Sequence, residues 1–294
     1  MNPLHLNDWE DFEVAISKAG LSDAKSFYES YLIFNDILNK LPKQELVKRG
    51  WISSKDDLSS MVPLLQEIHS HRENALFRKS DTSHIALCVA WKSWVSTTAK
   101  MGVVSQDIAE FQGIDTNYLK EIAKLSIDVS SISSLPAILA KIGIVLVYER
   151  TLPRMKLDGV VFKLESGHPV IGISFRFSRL DNFWFTLMHE LAHINLHMES
   201  LGDPIFDDLE TDSEEMVEIQ ANRLAKDSFV ERHLWRNCEP KYDKSDAAVI
   251  KFSKEIGIHP AIVAGMLQKE LNEFHMFRKI VDEVDVRGKI FDDE

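Results

Sequence analysis

The sequence predicts an α+β protein in which a short cluster of strands interrupts an otherwise helical chain. Three observations carry this. Apolar residues recur at helical spacing from the start to about residue 130. Short β-branched runs follow between residues 142 and 175. Helical periodicity returns from about Asp181 and holds nearly to the end.

The first region shows helical stripes in Phe27, Tyr28, Tyr31, Leu32 and Phe34, then in Met61, Leu64, Leu65 and Ile68, then in Ile85, Leu87, Cys88, Trp91 and Trp94. Core packing is the expected fate of such stripes. The stretch from Ser105 to Ile122 has a helix, a Gly-containing turn and a second helix, faintly like a helix-turn-helix. Its second helix offers Asp115, Asn117, Lys120 and Glu121, which is not a basic face for reading DNA, so a structural αα-hairpin is expected. Strands are expected at Ile142–Tyr148, Asp158–Leu164 and Pro169–Phe175, the last two forming a hairpin through Glu165-Ser-Gly-His168. A boundary near residue 135 divides a helical N-terminal region, 1–135, from a second domain, 136–294, that ends in further helices.

The 294 residues carry a net charge of −12, with 45% apolar and 27% charged side chains, the profile of a folded domain rather than a disordered chain. The acidic balance argues against unaided binding to DNA or anionic membrane, and the densest basic pairs are only Lys48-Arg49 and Arg78-Lys79. No apolar run approaches the roughly 20 residues of a membrane helix, and the acidic start is no secretory signal. Two cysteines, Cys88 and Cys238, exclude a disulfide framework and a cysteine-built zinc site. A cytoplasmic protein is expected.

The stretch Asp181-Asn-Phe-Trp-Phe-Thr-Leu-Met-His189-Glu190-Leu-Ala-His193 carries the chemistry. On a helix, His189 and His193 face the same way and can reach one metal ion, with Glu190 beside them to work on a metal-activated water. Leu187, Leu191, Ile194 and Met198 form a stripe that buries one side of this helix, and Asp181 is its expected N-cap. A third protein ligand is wanted. His197 lies eight residues from His189, about 12 Å along the axis, so an outer role or simple packing suits it better. Thr211-Asp-Ser-Glu214 fits a capping box that starts the next helix. On that helix Glu218, Ala221, Asn222, Ala225 and Phe229 form one stripe of small and apolar residues, which should pack closely on another helix. A carboxylate on such a face wants a partner, which makes Glu218 the candidate third ligand and Asn222 a candidate for holding a ligand from outside. Residues 199 to 218 hold nine acids and no Lys or Arg, mostly a solvated loop and helix start, and could also favour a basic substrate segment.

The pattern Phe185-x-x-x-His189-Glu-Leu-Ala-His193-x-x-Leu-His197, followed by Glu218-Ile-Gln-Ala221-Asn222-Arg-Leu-Ala225, resembles the ImmA/IrrE family of zinc metallopeptidases. Leu46 to Ile52, Asp158-Gly159, Pro169-Val-Ile-Gly172, Arg179-Leu-Asp-Asn-Phe-Trp184 and His259-Pro-Ala-Ile-Val-Ala-Gly265 are similar too. Some members carry the peptidase behind an antitoxin-like helix-turn-helix domain. This sequence departs there, since the basic DNA-reading helices are weak, and Ser228-Phe-Val-Glu231 stands where relatives carry Pro. The resemblance implies a zincin-like, gluzincin-type domain with one zinc ion on His189, His193 and Glu218, and Glu190 as general base. It also implies a substrate, a helix-turn-helix repressor cut to release stress, phage or mobile-element genes.

Zincins commonly hold substrate as a strand added to a sheet edge, and Val170, Ile171, Gly172 and Ile173, within Pro169–Phe175, are the candidate edge. An oxyanion donor is usual, and the sequence picks none among Tyr148, His168 and His259, His168 being more often a turn residue and His259 a helix-start residue before Pro260. The rival reading keeps the zincin fold as a non-proteolytic regulatory or toxin–antitoxin-type binding module.

Overall fold

A computed structural model describes residues 39–54, 82–105, 108–202, 204–207 and 216–291. The stripes around Phe27 and Met61 and the capping box at Thr211 lie outside the described residues. The chain forms two compact units, one of Met1–Thr97 with Thr151–Lys156, the other of Thr98–Arg150 with Leu157–Glu294. This division falls well before the expected boundary near 135.

In the first unit, helix α1 (Lys43–Lys48) buries Leu46. Arg49, just after it, pairs with Glu45 at 2.8 Å and donates to the Thr151 carbonyl at 2.9 Å. Trp51 stacks on Trp94 of helix α2 (Thr82–Ser105) with ring centroids 5.2 Å apart. Leu87, Cys88 and Trp91 are buried as the stripe requires.

In the second unit, residues 108–114 are irregular, so the helix expected before the glycine turn does not form. Gly113 takes φ +94°, and Asp115 caps helix α3 (Thr116–Lys124) by accepting from the Tyr118 N–H at 2.8 Å. The expected αα-hairpin is therefore a single helix after an extended lead-in, which Asn195 holds by donating to the Ile114 carbonyl at 2.7 Å. Helix α4 (Ser131–Ala140) buries Ile132, Leu135 and Leu139 and packs on strand β1 (Val145–Tyr148). It spans the expected boundary, and its apolar face ties it to the sheet.

Strands β2 (Gly159–Lys163) and β3 (Pro169–Ile173) form the expected antiparallel hairpin, with Gly167 at φ +88° in its turn. Beyond them lies β4 (Ile205–Asp207), and the sheet order is β1-β3-β2-β4. β1 runs parallel to β3, and β2 is antiparallel to both neighbours. The candidate edge, Val170 to Ile173, is thus an interior strand paired on both sides; β1 and β4 are the edges among the described strands. Every residue of β3 is buried, as a strand covered on both faces requires.

Helix α5 (Leu180–His197) packs on β2 and β3 and is contacted by α3, by helix α6 (Met216–Phe229) and by helix α9 (Pro260–Leu271). Between the last two run helix α7 (Arg232–Arg236) and helix α8 (Asp246–Ile256). After α9 come helices α10 (Arg278–Val281) and α11 (Val286–Ile290). With neighbours on all sides, α5 is buried almost entirely from Leu180 to Ile194, more than the single stripe implies.

Arg179, not Asp181, holds the N-cap position of α5. Asp181 sits inside the first turn, buried, and takes two hydrogen bonds from Arg179, from Nε at 2.9 Å and from a terminal nitrogen at 2.6 Å. Burial pushes its carboxyl up, and Arg179 pulls it back toward the ionised form. Arg179 also donates to Gln268 of α9 at 2.7 Å. Gly265 of α9 lies against Asp181, and any side chain there would strike the carboxylate. Arg179→Ala leaves that buried carboxylate without its counter-ion and should cost about 3–5 kcal/mol of stability. Arg179→Lys, which keeps charge but not the fork, should fall between the two in urea unfolding midpoint.

Candidate metal centre

The centre is built from two helices. His189 and His193, one turn apart in the sealed core of α5, are 1% and 0% exposed. Glu218 reaches them from α6, whose Ala221 and Ala225 are buried against α5 and allow the close approach that small side chains give. Glu218 Oε2 lies 3.1 Å from His189 Nε2, and Oε1 lies 3.4 Å from His193 Nε2. The two Nε2 atoms are 2.9 Å apart.

Three groups whose chemistry is to accept protons or bind cations therefore point at one another. Tetrahedral zinc with bonds near 2.0–2.2 Å separates its ligand atoms by about 3.3 Å, close to all three spacings here. Two imidazoles and a carboxylate are also the donor set of catalytic zinc sites, which leave a fourth position open. The residues fit the ion.

Protonation states agree with this. Burial pushes Glu218 up, but hydrogen bonds from His189 and His193 outweigh it and hold the carboxyl at about 2. Burial pushes His193 below the ordinary imidazole value, with Glu218 opposing. At neutral pH both are in the form that binds a cation.

Residues 140–265 match the model of the family described as Peptidase_M78, the IrrE N-terminal-like domain. This segment is an IrrE N-terminal-like domain. The family is one of zinc-dependent peptidases. No curated protein matches the chain.

In this IrrE N-terminal-like domain the acid of the motif, Glu190, is fully buried on the same helix as His189 and His193. Gly159 of β2 packs directly on it. A Cβ at 159 would collide with the Glu190 carboxylate and sit 2.7 Å from Thr186 Cγ2. Sequence patterning gave the Asp158-Gly159 pair only through resemblance, and this contact is the physical reason for a glycine there. The same holds for Gly265.

His197 stands outside the group formed by His189, His193 and Glu218. Its Nδ1 lies 3.2 Å from His193 Nδ1, on the far side of the ring from the centre, and its Nε2 lies 3.1 Å from Gln220 Oε1. Asn222 is exposed and lines a cleft of about 730 Å³ that opens at His189. That cleft is walled by Phe177, Phe185, Met266 and Phe274, with Lys226 and Lys269 among its lining. The three oxyanion candidates are used elsewhere. Tyr148 donates to the Ile132 carbonyl at 2.8 Å, His168 Nε2 meets the Ala109 carbonyl at 3.2 Å, and His259 caps α9 by accepting from the Ala261 N–H at 3.2 Å.

A zinc titration against a competing chelator should find one ion per chain at neutral pH. Glu218→Ala should lose more than the ~100-fold that outer partners typically contribute. Affinity should fall on acidification, because the imidazoles must shed protons to bind. Since burial lowers His193, the fall should be centred below the ordinary 6.5 of histidine.

Proposed function

We propose that the domain is a zinc-dependent endopeptidase acting on a regulatory protein. The observation that carries this is the convergence of His189, His193 and Glu218 next to a buried acid, at the mouth of a cleft. Zinc held by these three residues would supply Lewis-acid polarisation of the scissile carbonyl and acidification of water. Glu190 takes the proton of the attacking water and passes it to the leaving amine as the peptide bond breaks. Burial of Glu190 and its neighbours keeps bulk water from competing for that proton.

The substrate backbone is read along β4. Gly159, the residue packed on Glu190, pairs on its other side with Asp207 of β4, so of the two edges among the described strands β4 is the one nearest the base. Apolar side chains would enter the cleft beside His189. A helix-turn-helix repressor is the proposed substrate, and its support is the family resemblance. Cys88 and Cys238 are both buried and form no disulfide with each other, which fits a reducing cytoplasm. Among the described residues no helix is long and apolar enough to cross a membrane.

Two experiments test this. With a candidate repressor on a gel, Glu190→Gln should slow cleavage by about 10²–10⁴-fold while keeping zinc; cleavage at the parent rate would sink the mechanism. In a mobility-shift titration at physiological salt, the chain alone should not retain operator DNA. The exposed side of α3 offers Asn117, Glu121 and Lys124, and its other cation, Lys120, is paired with Glu231 at 3.5 Å. Sub-micromolar, salt-sensitive retention would give the chain a DNA-reading role.

A further inference from the structure

We propose that the domain selects its substrate through a basic groove between α6 and α9, which takes an extended peptide carrying an Asp or Glu about three to four residues from the cleaved bond. This rests on the peptidase reading and names the kind of segment that the site accepts.

The cleft at His189 does not end there. A second chamber of about 550 Å³ adjoins it, and the two share Asn222 and Lys226 of α6 with Met266 and Lys269 of α9. His189, Phe185 and Phe274 line only the first, and Trp235 lines only the second. A chain leaving the metal centre along this groove therefore passes Lys226 before it reaches Trp235. Two chambers in line suit an extended polypeptide, whereas a compact small molecule would fill one of them.

The charge of the groove runs against that of the chain. The chain carries −12, yet the two chambers are lined by five cations, Arg179, Arg223, Lys226, Arg232 and Lys269, and by three carboxylates. Each of those carboxylates already has a cation. Asp181 takes Arg179 at 2.6 Å, Asp227 takes Arg232 at 3.0 Å, and Glu270 takes Lys241 at 2.6 Å. Lys226 is exposed and, among the described residues, in no ion pair. Apolar walls of Phe and Met focus the field of such a cation onto a carboxylate entering the groove. Acids on distant surfaces oppose it little, because salt screens exposed charges beyond about 8 Å.

The helix sets where that carboxylate must be. Glu218, Asn222 and Lys226 follow one another at single-turn spacing on one face of α6, which puts Lys226 about 12 Å along the axis from Glu218. An extended chain covers that span in about three to four residues at roughly 3.3 Å each. Asn222 lies between, and its amide can both donate to and accept from a peptide group passing over it.

Panning a random peptide library over the immobilised, zinc-loaded full chain, with Glu190→Gln to prevent cutting, reads the groove without cleavage. Selected peptides should carry Asp or Glu at a fixed distance from an apolar residue, and added salt should weaken their retention. Lys226→Arg should keep that preference, and Lys226→Glu should replace it with one for Lys or Arg. With the parent chain, changing the acid of a selected peptide to its amide should lower kcat/KM about 3- to 10-fold, less at high salt. A library that yields no acid at a fixed position would overturn the proposal. So would Lys226→Glu selecting the same peptides as the parent. If acid-bearing peptides are selected but never cut, the peptidase reading fails and the groove stands. If a repressor is cut while no acid is preferred, the groove fails and the peptidase reading stands.

Discussion

Three polar groups have to meet at one point inside an apolar core, and the rest of the domain is arranged around that demand. His189 and His193 sit on a helix that the sheet, α3, α6 and α9 all cover. Isolated in such a place, each imidazole and the facing carboxylate would be costly to bury. Their mutual approach to within 2.9–3.4 Å offsets this in part, and a cation would offset it more fully. The approach depends on α6 lying close to α5, which Ala221 and Ala225 allow and larger residues would prevent.

The same demand for closeness recurs at both flanks of α5. On the sheet side Gly159 leaves room for the Glu190 carboxylate; on the α9 side Gly265 leaves room for Asp181. Both glycines serve by what they lack. The Arg179–Asp181–Gln268 chain then fixes the start of α5 to α9, so the cleft beside His189 has a defined wall. An interior ion pair of this kind adds little net stability, but it sets the relative placement of the two helices that border the cleft.

What the sequence disclosed follows from which features are local. The strands β1 to β3 were legible because β-branched runs bounded by turn residues are a short-range signal. So were the α5 histidines, whose four-residue spacing is a property of any helix. Strand β4 was not legible: Ile205-Phe-Asp207 is three residues among acids, a glycine and a proline, and only pairing with β2 makes it a strand. Strand order is likewise non-local, which is why Val170–Ile173 was misplaced to an edge; the unbroken apolar run Pro169-Val-Ile-Gly-Ile173 did carry the sign of a strand buried on both faces. Asp181 has the residue type of an N-cap, but Arg179 lies close enough to draw its carboxylate inward. The lead-in to α3 looked helical from composition alone, while Gly113 and the Asp115 cap start the helix later.

A helix packed against the sheet and three other helices has its side-chain ordering settled early. The rotamers of His189 and His193 are fixed by packing as the core forms, so the conformational entropy of arranging them is lost during folding and not when a cation or substrate arrives. Binding at such a preorganised centre keeps more of its gross interaction energy as affinity than a centre assembled from mobile loops would. The fold carries the corresponding cost permanently, in the form of imidazoles and carboxylates where leucines would pack better. Exchanging those groups for apolar ones of similar volume would give a sturdier domain with nothing at its centre, which places this site among those where activity and stability pull against each other.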